Sequence, residues 1–139
     1  APFEGAATGS GGRMRDGMST GKGSLIVAGI CGYAVGNLQL PGYDMQWENE
    51  PSFHYPTNMA SPLQILVDAS NGASDYGNKF GEPLICGWTR SFAHRVPGTG
   101  ERFEYIKPIM MAGGLGAMDH SHCGKNEPEK GNLIVKIGG

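Results

Sequence analysis

Twelve consecutive residues, Gly5, Ala6, Ala7, Thr8, Gly9, Ser10, Gly11, Gly12, Arg13, Met14, Arg15 and Asp16, combine the residue types that hold a phosphate. Glycines let successive N–H groups converge on phosphate oxygens. Thr8 and Ser10 add hydroxyl donors, and Arg13 and Arg15 can add charge-assisted bonds. Asp16 offers the hard oxygen ligand that magnesium needs beside a phosphate. The segment is not a Walker A motif: Gly21-Lys22 is followed by Gly23 instead of Ser or Thr, and Asp16 stands where the first glycine belongs. It is not a dinucleotide fingerprint either, because no strand precedes it. Pattern alone leaves two readings open, a phosphate-binding loop and a flexible surface loop.

Other candidates point to packing or solvent. Asp119, His120, His122 and Cys123 lie close together, but donors so closely spaced rarely all reach one tetrahedral ion. A solvated loop is the simpler reading. His54 and His94 fall in irregular or edge segments and read as surface histidines. Trp47 and Trp88 read as packing anchors, since no basic stripe accompanies them. Asp68 and Asp75 are seven apart and share a helix face, which suits a solvated flank better than an acid/base pair.

The elements that must position these groups follow from periodicity and punctuation. Residues 5–23 show no apolar period and read as a long glycine-rich loop. Residues 24–40 read as a strand, with Leu25, Val27, Cys31, Tyr33 and Val35 on one face and Ile26, Ala28, Ile30 and Ala34 on the other. Both faces are apolar, so burial on both sides is expected. Pro41-Gly42 marks a turn, and 43–60 reads as a surface excursion. Ser61, Pro62 and Gln64 form a capping-box start to a helix, with Leu63, Leu66, Val67, Ser70, Ala73, Tyr76 and Phe80 at helical spacing. Gly81 can end it. Gly72 and Gly77 inside it suggest tight packing on a sheet. Strands are expected over 84–92, 103–111 and 133–137, with a turn at 96–102 and loops at 112–118 and 120–131. Strands around one helix imply an α/β layered domain, a sheet with a packed helix.

Composition bounds the function class. The 139 residues suffice for one domain with a core, and 39% hydrophobic content suits a globular chain. The net charge of −2 and the scattered basic residues argue against nucleic acid. No apolar stretch reaches membrane-spanning length, which argues against a membrane. Cys31, Cys86 and Cys123 form no CxxC pair, which suits a reduced, cytoplasmic setting. No leader pattern opens the chain, and its start at Ala1 without Met suggests a piece of something longer.

Several blocks in order carry a more specific resemblance. Gly5 to Asp16 resembles the glycine-rich nucleotide segment of the phosphoribosylformylglycinamidine synthase family. Thr20-Gly21-Lys22-Gly23 is similar to that family's TGRG. Gly36 to Tyr43 resembles its NLxIPG stretch, and Trp47-Glu48 a family WE. The block Ala69 to Pro83 resembles one typical of the eukaryotic enzymes, and Lys107 to Gly116 resembles KPIMxxGGxG.

The resemblance implies most of the N-terminal half-domain of the first aminoimidazole ribonucleotide synthase-like module over residues 1–132, with the next half-domain opening at 133–139. It implies an incomplete fragment of an ATP-dependent ligase. That ligase activates the formyl amide of formylglycinamide ribonucleotide with ATP, and ammonia from glutamine, made in a separate glutaminase domain, displaces phosphate. ATP and Mg2+ are the implied cofactors. Gly5 to Asp16 would line the ATP site, with Asp16 on magnesium and Arg15 on the substrate phosphate. Cys86, Gly87 and Trp88 would form a second, short nucleotide contact. The family's duplicated architecture leaves open whether the site is catalytic or structural. The implied partners are the remaining synthetase modules and the glutaminase domain. The family's His-Asn-His-Pro-like motif and its glutaminase nucleophile have no counterpart here, so the isolated fragment is expected to be inactive. Its 24–40 strand, apolar on both sides, is without the partner half-domain that such strands meet in the family, so the fragment is also expected to self-associate.

Overall fold

The computed structural model describes residues 1–49 and 53–138. Helix α1 (Pro2–Met18) leads into strand β1 (Leu25–Val35), and helix α2 (Pro62–Phe80) into β2 (Leu84–Ser91). A small hairpin of β3 (Ala93–Arg95) and β4 (Arg102–Glu104) precedes β5 (Ile109–Ala117) and a 3-10 turn at His120–His122. The main sheet has the order β2-β1-β5. β1 runs parallel to β2, with α2 in the crossover, and antiparallel to β5. The result is an α/β unit with a mixed sheet and its helices on one face.

The glycine-rich segment is therefore a helix, not the expected loop. Its buried positions are Ala6, Ser10, Gly11 and Met14. Ala6, Ser10 and Met14 recur every four residues, which is a helical stripe, but Met14 is its single large apolar side chain, and one such residue makes no apolar period. Small residues suit it because α1 lies against α2, whose buried stripe is Ile65, Ala69, Gly72, Ala73 and Gly77. A Cβ on Gly72 would collide with the backbone of Phe3, and one on Gly11 with the Tyr76 ring. Gly72 thus serves helix–helix contact, where packing on a sheet was expected. Close packing outweighs the poor helix propensity of the α1 glycines.

Helix α2 begins and ends where expected. Ser61 Oγ accepts the Gln64 N–H at 3.2 Å, and Gly81 closes the helix in the left-handed region at φ 73°. The reciprocal half of the capping box is not formed: the Gln64 amide reaches forward to Asp68 at 2.7 Å. The helix buries the Ile65–Ala69–Ala73 side, and Val67 and Phe80 face solvent.

Four expectations about the strands change. The 103–111 strand is broken: β4 ends at Glu104 and β5 starts after Pro108, whose ring removes a ladder donor. Residues 112–117 continue β5, paired with β1 as far as Leu25; Gly113 leaves room for the Ile30 side chain on one face and Gly114 for the Arg13 guanidinium on the other. Residues 133–137 form no strand; Ile134 is 100% exposed, and its segment has no ladder partner among the described residues. The 24–40 strand ends at Val35, where the chain turns out through Gly36. The Glu48 carboxylate holds that excursion by accepting the N–H groups of Leu38 at 3.0 Å and Gln39 at 2.9 Å.

The core joins Ala6, Cys31, Tyr33, Ala69 and Ala73, with Leu66, Leu84 and Met110 packed around it. Only the helix side of the sheet is covered. On the other side Ile30, Ile109, Met111 and Leu115 remain exposed, so β1 is not sealed on both faces as its sequence suggests.

Candidate functional site

The helical form of α1 decides which of the twelve candidate residues can meet a ligand. Ser10 and Met14 are sealed at 0% and 1% exposure, and Ala6 and Gly11 are buried with them. The Ser10 hydroxyl faces the Cys31 thiol at 3.9 Å. Main-chain N–H groups inside the helix already bond to carbonyls one turn back, and the Gly5 N–H reaches the Ala1 carbonyl at 2.9 Å. The expected cradle of converging glycine N–H groups is not formed.

Arg13 is also committed. Its guanidinium meets the Glu82 carboxylate through both terminal nitrogens, one bond being 2.7 Å from Nη1 to Oε2. Glu82 is fully buried, and its carboxylate, by hydrogen bond and by charge, raises the Arg13 pKa above its ordinary value. The exposed candidates are Gly5, Thr8, Gly9, Arg15 and Asp16, with Ala7 and Gly12 half-buried.

Arg15 and Asp16 lie together at the C-terminal end of α1, with side chains 77% and 80% exposed and 3.7 Å apart. Helix C-termini carry partial negative charge, which favours a cation and opposes a phosphate. Asp16 adds a full negative charge to that end. Among the described residues no three His, Cys, Asp or Glu side chains converge on one point. Magnesium keeps several waters and is bound by one or two carboxylates plus substrate phosphates, so Asp16, with Arg15 3.7 Å away, would be one ligand among several.

The turn after α1 is firmly held. Ser19 and Thr20 hydroxyls both donate to the Asp16 carbonyl, at 3.2 and 3.0 Å. Lys125 donates from its ammonium to the Ser19 and Gly21 carbonyls at 3.2 and 2.9 Å, and Lys22 N–H reaches the His122 carbonyl at 2.9 Å. Asp119, one of the clustered donors in the sequence, is occupied locally: it accepts the Ser121 N–H at 2.8 Å and hydroxyl at 2.6 Å, which holds its pKa below the ordinary value.

Cys86, Gly87 and Trp88 lie on β2, the opposite edge of the sheet from β5. They border a 420 Å³ pocket with Ser70 and Ser74 of α2. The fold does not bring them to Arg15 and Asp16, so the two expected nucleotide contacts are separate places. A larger, mostly apolar 630 Å³ pocket lies at the start of α1, beside Tyr33, Ile65 and Lys107. Sequence reasoning missed Glu82 and Lys125. Neither has a local signal, since their partners are 69 and at least 104 residues away in the chain.

Relatives settle the family. The chain is 61% identical over 139 residues to a phosphoribosylformylglycinamidine synthase of Dictyostelium discoideum. It is 60% identical over 139 residues to a probable chloroplastic/mitochondrial phosphoribosylformylglycinamidine synthase of Arabidopsis thaliana, and 55% identical over 138 residues to the Homo sapiens phosphoribosylformylglycinamidine synthase. The chain belongs to the phosphoribosylformylglycinamidine synthase family. It spans about 10% of the length of these curated relatives, and all or nearly all of it is matched. No family model matches it. Within this chain, the 69–83 block forms the end of α2 and the turn carrying Glu82, and the 107–116 block forms most of β5. No helix among the described residues is long and apolar enough to cross a membrane.

Proposed function

We propose that this chain serves as part of an ATP-dependent ligase of purine biosynthesis. The reaction converts formylglycinamide ribonucleotide, glutamine and ATP to formylglycinamidine ribonucleotide. The observation that carries this reading is the 61% identity across all 139 residues to a segment of a named synthase. The chain would form most of one synthase-like half-domain, with the other synthetase modules and the glutaminase domain as its partners. Three free cysteines suit a reduced setting such as the cytoplasm, although one plant relative is named chloroplastic/mitochondrial.

Its contribution would centre on the end of α1. Asp16 would hold magnesium and Arg15 a phosphate oxygen. Magnesium supplies charge neutralisation on the phosphates, and a fixed guanidinium adds to it. The chain's own residues do the positioning: Ser19, Thr20 and Lys125 fix the turn so that Arg15 and Asp16 project from a rigid helix end. The 86–88 segment would make the second, shorter contact.

A second reading, a half-domain whose task is pairing and whose nucleotide site is structural, is favoured by the uncovered sheet face with Met111 57% and Leu115 67% exposed. The test is a chimera. The homologous tenth of the Dictyostelium synthase is replaced by this chain, and glutamine- and ATP-dependent product formation is measured. Activity near that of the parent is expected. A folded but inactive chimera would overturn the reading.

A further inference from the structure

Arg13, partly buried, and Glu82, fully buried, form an ion pair with an unusual defect. Arg13 Nε is buried without a hydrogen-bond partner among the described residues, while the two terminal nitrogens grip Glu82. Buried ion pairs give little net stability compared with apolar packing, and an orphaned donor reduces that further. What a two-bond guanidinium–carboxylate pair does supply is geometry, because the planar fork fixes both direction and distance.

The surroundings are built around this pair. A Cβ on Gly29 would collide with the Glu82 carboxylate, and one on Gly114 with the Arg13 guanidinium. Glu82 itself sits on fixed backbone. Its N–H bonds to the Gly77 carbonyl at 3.0 Å, and the adjoining Pro83 carbonyl accepts the Gly29 N–H at 2.9 Å. The pair therefore ties α1 to the α2–β2 turn, over strands β1 and β5. Asp16 follows Arg13 by three residues, about 4.5 Å along the helix and about 60° around it. A helix held at Arg13 can neither roll nor slide without moving Asp16.

We propose that Glu82 is a positioning residue, which through Arg13 sets the rotation and height of α1 and so aims Asp16 at the metal. This rests on Asp16 contacting magnesium, as proposed above. The experiment uses the full-length chimeric synthase and reads the magnesium concentration for half-maximal turnover, together with the melting temperature. Glu82→Gln keeps the shape and removes the charge. It should raise the magnesium requirement about tenfold, the usual effect of losing a group that orients a metal ligand. In an Asp16→Asn background the same change should add nothing further, because the ligand it orients is already lost. If Asp16→Asn alone leaves the magnesium requirement unchanged, the metal reading fails, and this inference with it. If Asp16→Asn raises the requirement and Glu82→Gln only lowers the melting temperature, the positioning inference alone is overturned. Should Glu82→Gln not fold, Arg13→Lys replaces it. That variant keeps the charge and loses the fork, and an unchanged magnesium requirement would overturn the inference as well.

Discussion

Gly72 of α2 lies directly against the main-chain carbonyl of Phe3 in α1, with no space for a methyl group between them. The two helices are therefore spaced by backbone contact at this point. Gly72→Ala gains up to about 1 kcal/mol of helix propensity but forces overpacking that typically costs about 1–3 kcal/mol. The expected outcome is a net loss of stability, read as a lower urea midpoint at unchanged slope. Gly12 on α1 is the control, since nothing lies within 4 Å of its missing Cβ. Gly12→Ala should stabilise by about 0.5–1 kcal/mol. If both substitutions stabilise alike, α1 and α2 are not spaced at Gly72.

These two glycines also mark how far the sequence could be read. Helix α2 was legible because its signals are local: Ser61 and Pro62 at one end, Gly81 at the other, and a run of helix-compatible residues between. Helix α1 was not, because Ala6, Ser10 and Gly11 bury little apolar bulk, Met14 alone makes no period, and the four become a stripe only against α2. The strand character of Gly113 to Gly116 was hidden for a related reason: those glycines make room for Ile30 and Arg13. Arg15 and Asp16 were legible as an exposed charged pair. The fate of Arg13 was not, since its partner Glu82 is 69 residues away and sits between a glycine and a proline that read only as punctuation.

Tyr33 and Tyr55 give the fold a defined alkaline limit. Burial, and then the neighbouring Cys31, raises the Tyr33 pKa well above the ordinary 10.0. Burial, and then the hydrogen bond to Glu104, does the same for Tyr55. Both groups keep their protons in the folded chain at pH values where the unfolded chain has lost them. Their contribution is thus complete below pH 10 and is lost as pH rises above it. The melting temperature should fall progressively above pH 10, with the tyrosinate absorbance of Tyr33 and Tyr55 appearing together with unfolding. Tyr55→Phe should make the fall shallower. Tyrosinate signal from all five tyrosines near pH 10 in the folded chain would contradict this.

The bare side of the sheet should drive self-association. Ile109, Met111 and Leu115 line one face of β5 at 48%, 57% and 67% exposure, and Trp88 lies over Gly32 on the same side. Contiguous apolar surface of this kind marks an interaction site. Light scattering of the chain at high concentration should show dimers or larger species, and a hydrophobic dye should bind. Met111→Glu places a charge in the middle of that face and should shift the chain toward monomer. A dye-silent monomer at high concentration would count against the proposed interface.

Asp16 and Arg15 should separate under mutation, because in the proposed function they would face different parts of a magnesium–nucleotide complex. Asp16→Asn keeps the shape and removes the charge that a hard cation requires. It also removes a negative charge from the negative end of α1, which by itself should stabilise the ligand-free chain by about 0.3–1 kcal/mol. The variant is therefore expected to melt slightly higher than the parent without ligand and lower than the parent with magnesium and ATP, since ligand that binds only the folded state stabilises by mass action. Arg15→Ala would remove the proposed phosphate contact and leave the proposed metal ligand in place. Losing one charge-assisted bond costs about 1.5–3 kcal/mol, or roughly ten- to hundredfold in nucleotide affinity, with little change in magnesium requirement. In the chimeric synthase a catalytic site would show itself as lost turnover and a raised magnesium requirement for Asp16→Asn. A structural nucleotide site would instead leave turnover near normal and lower the melting temperature of the loaded enzyme. If the two melting curves never cross and turnover, magnesium dependence and nucleotide content all stay at parental values, the end of α1 is not a nucleotide site.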